Sequence, residues 1–129
     1  MAENLHIVFS KRPTGVPEKE FNDWYDNHVK EILALDMPGF VGARRFRIEP
    51  VVIDPETPTF WDHLTLWIIE GDPEAAMEEQ KKRGLDTKES YVALKQKDTS
   101  GPPLPDWWDE VRFASWNGCE LGERAASTT

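Results

Sequence analysis

Apolar and polar residues alternate in four stretches of this chain and recur at helical spacing between them. Residues 5–9 form a short β-type run that ends in the turn cluster Arg12-Pro13-Thr14-Gly15. Pro17, with Glu18 and Glu20 close behind, suits the first turn of a helix running to about Leu35 and stopping before Pro38-Gly39. Along it Phe21, Trp24, His28, Ile32 and Leu35 fall on one face, so a titratable side chain enters an apolar stripe. Residues 40–48 read as the second strand, Pro50, Pro55 and Pro58 as a stiff connection, and residues 60–69 as the third strand. Gly71-Asp72-Pro73 then opens a helical region over 74–83, broken at Gly84 and resumed from a Thr87 cap through Tyr91 and Leu94. Residues 99–105 are too rich in proline and glycine for regular structure, 111–117 is the last strand, and the tail frays from about 123.

The order is β-α-β-β-α-β, which predicts an α+β, ferredoxin-like antiparallel sheet with helices on one face, formed by residues 1–129 as a single domain. In this topology the first and third strands are central neighbours. Their alternation gives one nearly apolar set (Leu5, Ile7, Phe9; Phe60, Leu64, Leu66, Ile68, with Asp62 the exception). The other set is mixed: Asn4, His6, Val8, Ser10; Trp61, His63, Thr65, Trp67, Ile69. Neither face is polar enough to lie open to water, so a homodimer packing sheet against sheet is expected.

Charge narrows the partners. The net charge is -9 and the pI about 4.8, which opposes nucleic acid and anionic membrane. Lys81-Lys82-Arg83 suits a helix C-terminus, and strand alternation splits Arg44 from Arg45 and Arg47, so neither run makes a basic patch. A lone Cys119 rules out an internal disulfide, and no stretch has the length or hydropathy of a membrane span or a signal core. A soluble, cytoplasmic protein is the expectation. Six tryptophans are more than a core this small needs, and aromatic walls around a flat or apolar ligand would use them. Of these, Trp107 and Trp108 follow a proline-stiffened run and read as a brace for the dimer or a cover for a ligand.

The three histidines carry the candidate chemistry. If the mixed strand face lies under the helices, His6 and His63 converge with His28 on a cavity walled by Trp24, Trp61 and Trp67, with Tyr25 and Thr65 at hand. Imidazoles there would exchange protons with a substrate near neutral pH. If the apolar set lies under the helices, His6 and His63 enter the dimer interface and only His28 stays in the cleft. A satisfied core histidine is the bland alternative for each. No metal is expected, since Asp26 lies about 200° from His28 on the helix wheel, Asp62 alternates away from His63, and no ligand-spacing motif is present. Gly-rich phosphate loops, a dinucleotide fingerprint and a nucleophile elbow are also lacking.

Trp24-Tyr25-x-x-His28, then Pro38-Gly39-Phe40 leading into Arg44-Arg45-Phe46, then Leu64-Thr65-Leu66-Trp67 running to Glu70-Gly71-Asp72-Pro73-Glu74-Ala75, occur in an order that resembles the dimeric α/β-barrel superfamily, and within it the EthD-like proteins. The resemblance covers most of residues 4 to 118 and implies a protomer whose sheet faces that of a second copy, with one small-molecule pocket between sheet and helices. His6 and His63 stand where olivetolic-acid-type polyketide cyclases carry strand histidines, although those cyclases lack the helix histidine and have another after the third strand. The superfamily also holds cofactor-independent monooxygenases, lactone isomerases and haem-degrading oxygenases. An axial histidine of the last kind has no counterpart in residues 73–98. The resemblance implies a fold and leaves the chemistry open; with the histidine placement beside it, the leading expectation is a cofactor-free enzyme of lyase, cyclase or isomerase type acting on an aromatic or polyketide-like compound. Its catalytic residues would be His28, His63 and His6, and its substrate-binding residues Trp24, Tyr25, Trp61, Thr65 and Trp67. A cofactor-independent monooxygenase of a phenol and a non-catalytic carrier of a hydrophobic metabolite are the alternatives.

Overall fold

The computed structural model describes residues 3–99, 101 and 103–128. The elements run β1 (Asn4–Lys11), α1 (Glu18–Ala34), β2 (Phe40–Arg47), β3 (His63–Ile69), α2 (Pro73–Lys82), α3 (Lys88–Lys97), a single 3-10 turn at Trp108–Glu110, and β4 (Arg112–Cys119). The strands pair antiparallel in the order β2-β3-β1-β4, so this is an α+β, ferredoxin-like sheet with β1 and β3 at its centre.

Local chemistry sets the boundaries. Pro17 precedes α1 and Glu18 and Glu20 occupy its first turn, while Asp36 ends it in the left-handed region at φ 52. Arg83 also donates to Leu35 O at 2.9 Å and so satisfies one of the last carbonyls of α1. Asp72 caps α2 through Glu74 N–H, and Thr87 caps α3 through Ser90 N–H at 3.0 Å, with Gly84 at φ 75 between them as the spacing predicts. Gly39 is demanded twice, by its φ of 92 and because a Cβ there would lie 3.2 Å from Ala76 Cβ and 3.3 Å from Glu70 O.

The mixed set faces the helices. His6, Ser10, His63, Thr65, Trp67 and Ile69 are buried, whereas Leu5, Ile7, Phe9, Leu64, Leu66 and Ile68 are only half-buried on the helix-free side. Arg45 follows the mixed set, donating to Asp26 Oδ1 at 2.9 Å and Asn22 Oδ1 at 3.1 Å on α1 and lying 4.4 Å from the Tyr25 ring centroid. Arg44 stands on the other face over Phe46, at 5.0 Å.

Three expectations change. The third strand starts at His63 rather than residue 60. Asp62 still bonds Ser10 O through its amide and accepts from Ile48 N–H, but its carboxylate turns back to take the Arg12 amide at 3.0 Å and His63 Nδ1 at 2.8 Å. That hold breaks the pleat, and Trp61 lands on the helix-free side, 6.2 Å from Phe9. The buried stripe of α1 is Phe21, Tyr25, Val29 and Ile32, with Leu35 39% exposed. Because α1 packs against α3 and the Trp107–Trp108 segment as well as the sheet, its flank of Trp24 and His28 is used for that second contact. Trp107 and Trp108 are themselves buried under the helices, so they do not brace the open sheet face. Residues 123–128 carry neither helix nor strand, and of the irregular 99–105 run Ser100 and Pro102 lie outside the described residues.

Candidate active site

Between the sheet and the α1–α3 pair lies a cavity of about 460 Å³. Its floor is His6, Val8 and Trp67 of the central strands, its roof Tyr25, His28 and Ile32 of α1, and its sides Tyr91 of α3, Trp108 and Phe113. The lining is mixed: aromatic and aliphatic side chains form its inner walls, and Gln80, Ser115, the two histidines and a charged rim supply about as much polar surface. Lys88, Asp86, Thr87 and Arg112 also border it. Lys88 is held there by the carbonyls of Asp109 and Val111, each 2.8 Å from Nζ.

His28 is stacked on one ring face, met edge-on by tyrosine and tied at one nitrogen. Trp24 stacks on it at 4.9 Å with an interplanar angle of 10°, Tyr25 meets it edge-on at 5.7 Å, and Nδ1 lies 3.0 Å from Tyr91 Oη. Tyr91 in turn donates to Glu31 Oε1 at 2.5 Å, and Lys95 pairs with Glu31 Oε2. Burial pushes the His28 pKa down; Glu31 opposes this, and the cations Lys95 and Arg45 reinforce it. The imidazole is therefore neutral at pH 7, as a base must be. Burial tends to raise Glu31, but its bonds to His28, Lys95 and Tyr91 outweigh that and hold it at about 2. Burial first, and then the neighbouring Glu31, push Tyr91 upward, so it stays a phenol.

His6 is the second imidazole on the cavity. Its Nδ1 lies 2.9 Å from Asn117 Oδ1 on β4, and burial pushes its pKa down against that bond. Tyr25, fully enclosed, is raised to about 12 by burial against the opposing pull of Arg45, Thr65 and Ser10, so it too is a donor and not a base.

The structure brings together His6, His28, Tyr25 and Trp67 and leaves out the rest of the sequence-derived set. His63 is 3% exposed behind Phe21, whose ring lies at 4.9 Å, and it does not line the cavity. Its Nδ1 faces the adjacent Asp62 carboxylate, contrary to the alternation argument, because Asp62 sits at the break in the pleat. Thr65 is sealed beneath Tyr25 at 1% exposure. Trp24 backs His28 from behind and donates to Pro103 O at 2.8 Å, and Trp61 lies across the sheet. Trp108 lines the cavity, in keeping with the ligand-cover alternative, whereas Tyr91, Glu31 and Asn117 are site residues that the sequence reading does not single out. Glu31 stands three residues after His28, and Lys88, Tyr91 and Lys95 share the i, i+3, i+7 spacing that marks one helix face, which is the signal that was there to read. Among the described residues no group of three or more His, Cys, Asp or Glu side chains is placed to hold a metal, and no helix is long and apolar enough to cross a membrane.

No family model and no curated protein matches this sequence. Solved structures do. At3g17210 from Arabidopsis thaliana is 11% identical over 96% of this chain and 98% of its own, with a TM-score of 0.51. An EthD-family protein from Bacillus halodurans is 16% identical over 94% and 100%, and HapK from Hahella chejuensis 16% identical over 98% and 99%, both with a TM-score of 0.47. The likeness to the Arabidopsis protein is one of fold, and it spans nearly the whole of both chains.

Proposed function

We propose that this protein is a cytoplasmic, homodimeric enzyme that needs no cofactor and moves protons on an aromatic or polyketide-like substrate, in a lyase, cyclase or isomerase reaction. One observation carries the reading: two imidazoles, His28 and His6, line one cavity with several aromatic walls, each tied at Nδ1 and each pushed toward the neutral form by burial. With Nδ1 engaged, Nε2 is the nitrogen left to take a proton from an acidic C–H or O–H of the ligand and return it to the product. The proton leaves substrate and comes back to it, so the reaction consumes no oxidant or reductant. Trp67, Trp108 and Phe113 suit a flat, apolar body, and the volume of about 460 Å³ lies within the range of small-molecule sites. Of the two strand histidines behind the resemblance to olivetolic-acid-type cyclases, His6 supports that parallel and His63 does not.

The helix-free sheet face supports the homodimer. Leu5, Ile7, Phe9, Leu64, Leu66 and Ile68 remain half-exposed in the protomer, and Trp116 is 55% exposed beside Phe9.

The test is turnover of phenolic and linear polyketide candidates by His28→Ala. A loss of about 10² or more in kcat, with circular dichroism unchanged, is expected of a proton-transferring residue. Retained turnover removes His28 from the mechanism. Oxygen uptake by the purified protein during the same assay would replace the acid-base reading with the oxygenase one.

A further inference from the structure

Glu31 does not line the cavity, yet it is the most completely engaged carboxylate near it. Oε1 receives the Tyr91 hydroxyl at 2.5 Å, and Oε2 receives Lys95. Lys95 and Glu31 are only 10% and 16% exposed. The backbone of Gly101 closes over them so tightly that a Cβ there would collide with the Glu31 carboxylate. An exposed pair of this spacing would add little and be free to wander. This one is enclosed and satisfied.

Counting protons decides what it does. An ionised carboxylate only accepts, so the single Tyr91 proton is spent on Glu31. The Tyr91 oxygen, 3.0 Å from His28 Nδ1, can then only accept from the ring, and the Glu31 Oε1 itself, 3.6 Å from Nδ1, asks for the same proton. We propose that Glu31 is a positioning residue which, through Tyr91, fixes His28 in its Nδ1–H tautomer and so makes Nε2 the bare acceptor that a bound ligand meets. This rests on the reading of the cavity as the substrate site and adds a selection rule to it. The ligand group at His28 carries a proton, as a phenol or enol hydroxyl does. A carboxylate or phosphate oxygen, having only lone pairs, is rejected there.

The charges that act on the ring are Glu31 on its own helix, Lys95 on α3 and Arg45 on β2, with Tyr91 and Tyr25 beside it, while His6, Asp86, Lys88 and Arg112 border the same cavity. Of the three acting charges only Glu31 is negative. Its removal therefore leaves His28 facing two cations.

The experiment is a long-range proton–nitrogen correlation on the uniformly nitrogen-15-labelled full chain, which separates the two neutral imidazole tautomers. The wild type at pH 7.5 is expected to show His28 in the Nδ1–H form alone. In Glu31→Gln the ring should show both tautomers and its titration midpoint should fall. Tyr91→Phe, which deletes one oxygen and keeps the packing of the ring, should also yield a mixture and serves if Glu31→Gln does not fold. An Nε2–H tautomer in the wild type overturns the proposal, as does an unchanged tautomer and midpoint in both variants. The readout involves no turnover, so failure of the enzymatic reading would leave it standing, and an active enzyme with the wrong tautomer would sink it alone.

Discussion

Replacing Asp62 with alanine tests whether the buried His63 is a structural group. Asp62 Oδ1 accepts the Arg12 amide at 3.0 Å and His63 Nδ1 at 2.8 Å, and Oδ2 lies 3.5 Å from Lys11 Nζ. His63 Nε2 has no hydrogen-bond partner among the described residues, so in Asp62→Ala this 3% exposed imidazole would have neither nitrogen bonded. Stranding a buried donor costs about 1–3 kcal/mol. The partly buried Arg12 amide adds about 1, while the Lys11 pair, with a 40% exposed ammonium, adds a few tenths at most. Asp62 is a quarter exposed, so water recovers part of the loss, and about 2–3 kcal/mol remains. With a denaturant slope of about 1–3 kcal/mol per M for a small protein, the urea midpoint should drop by roughly 1–2 M. Asp62→Asn keeps an oxygen able to accept both bonds and should lose only about 1 kcal/mol. Burial raises the Asp62 pKa, but His63, Arg12 and Lys11 together hold it below 3.8. Its contribution is thus complete above 3.8 and fades as acid protonates the folded carboxyl, so the gap between wild type and Asp62→Ala should close at low pH. An alanine variant that unfolds within about 0.5 kcal/mol of wild type at pH 7 would refute the structural assignment.

The cavity histidines set the first step of acid sensitivity. His6 and His28 are held below 6.5 by burial, so the unfolded chain binds protons that the folded chain refuses, and stability should fall as pH drops through and below 6.5. Glu31, at about 2 against 4.5, should add a second loss between those values. Urea midpoints from pH 8 to 3 would show both steps, and a flat profile between 7.5 and 5.5 would contradict the burial argument. On the helix-free face, Trp116→Glu places a charge at a 55% exposed site beside Phe9, where it should leave the protomer folded and convert the expected dimer to monomer by sedimentation equilibrium. A monomeric wild type at micromolar concentration would sink the dimer itself.

Much of the fold was legible because local signals agreed with one another. Pro17, Pro38-Gly39, Gly71-Asp72-Pro73, Gly84 and Thr87 mark starts and stops that the chain obeys within a few residues, and the period-two alternation separated the two faces of β1 and, from His63 onward, of β3. The site was half legible. His28, His6, Tyr25 and Trp67 were found because helix and strand periods point them to one layer. Trp61 was lost because period counting presumes an unbroken pleat, and the Asp62 carboxylate breaks it with bonds to Arg12 and His63. The stripe of α1 was read one flank too far toward Leu35, since a single-face wheel cannot anticipate that a helix packs against both a sheet and a second helix.

The sequence by itself determined the element order, the sheet topology and the two faces of the strands wherever the pleat is unbroken, all of which follow from propensity and short-range periodicity. Only the tertiary structure decided which face the helices cover, that His63 is sealed behind Phe21, and that Tyr91 and Lys95 meet Glu31 and His28 across sixty residues of chain. Those outcomes depend on which side chains fill the same volume. Spacing along a chain fixes the direction in which a residue points, and only packing fixes what it meets there.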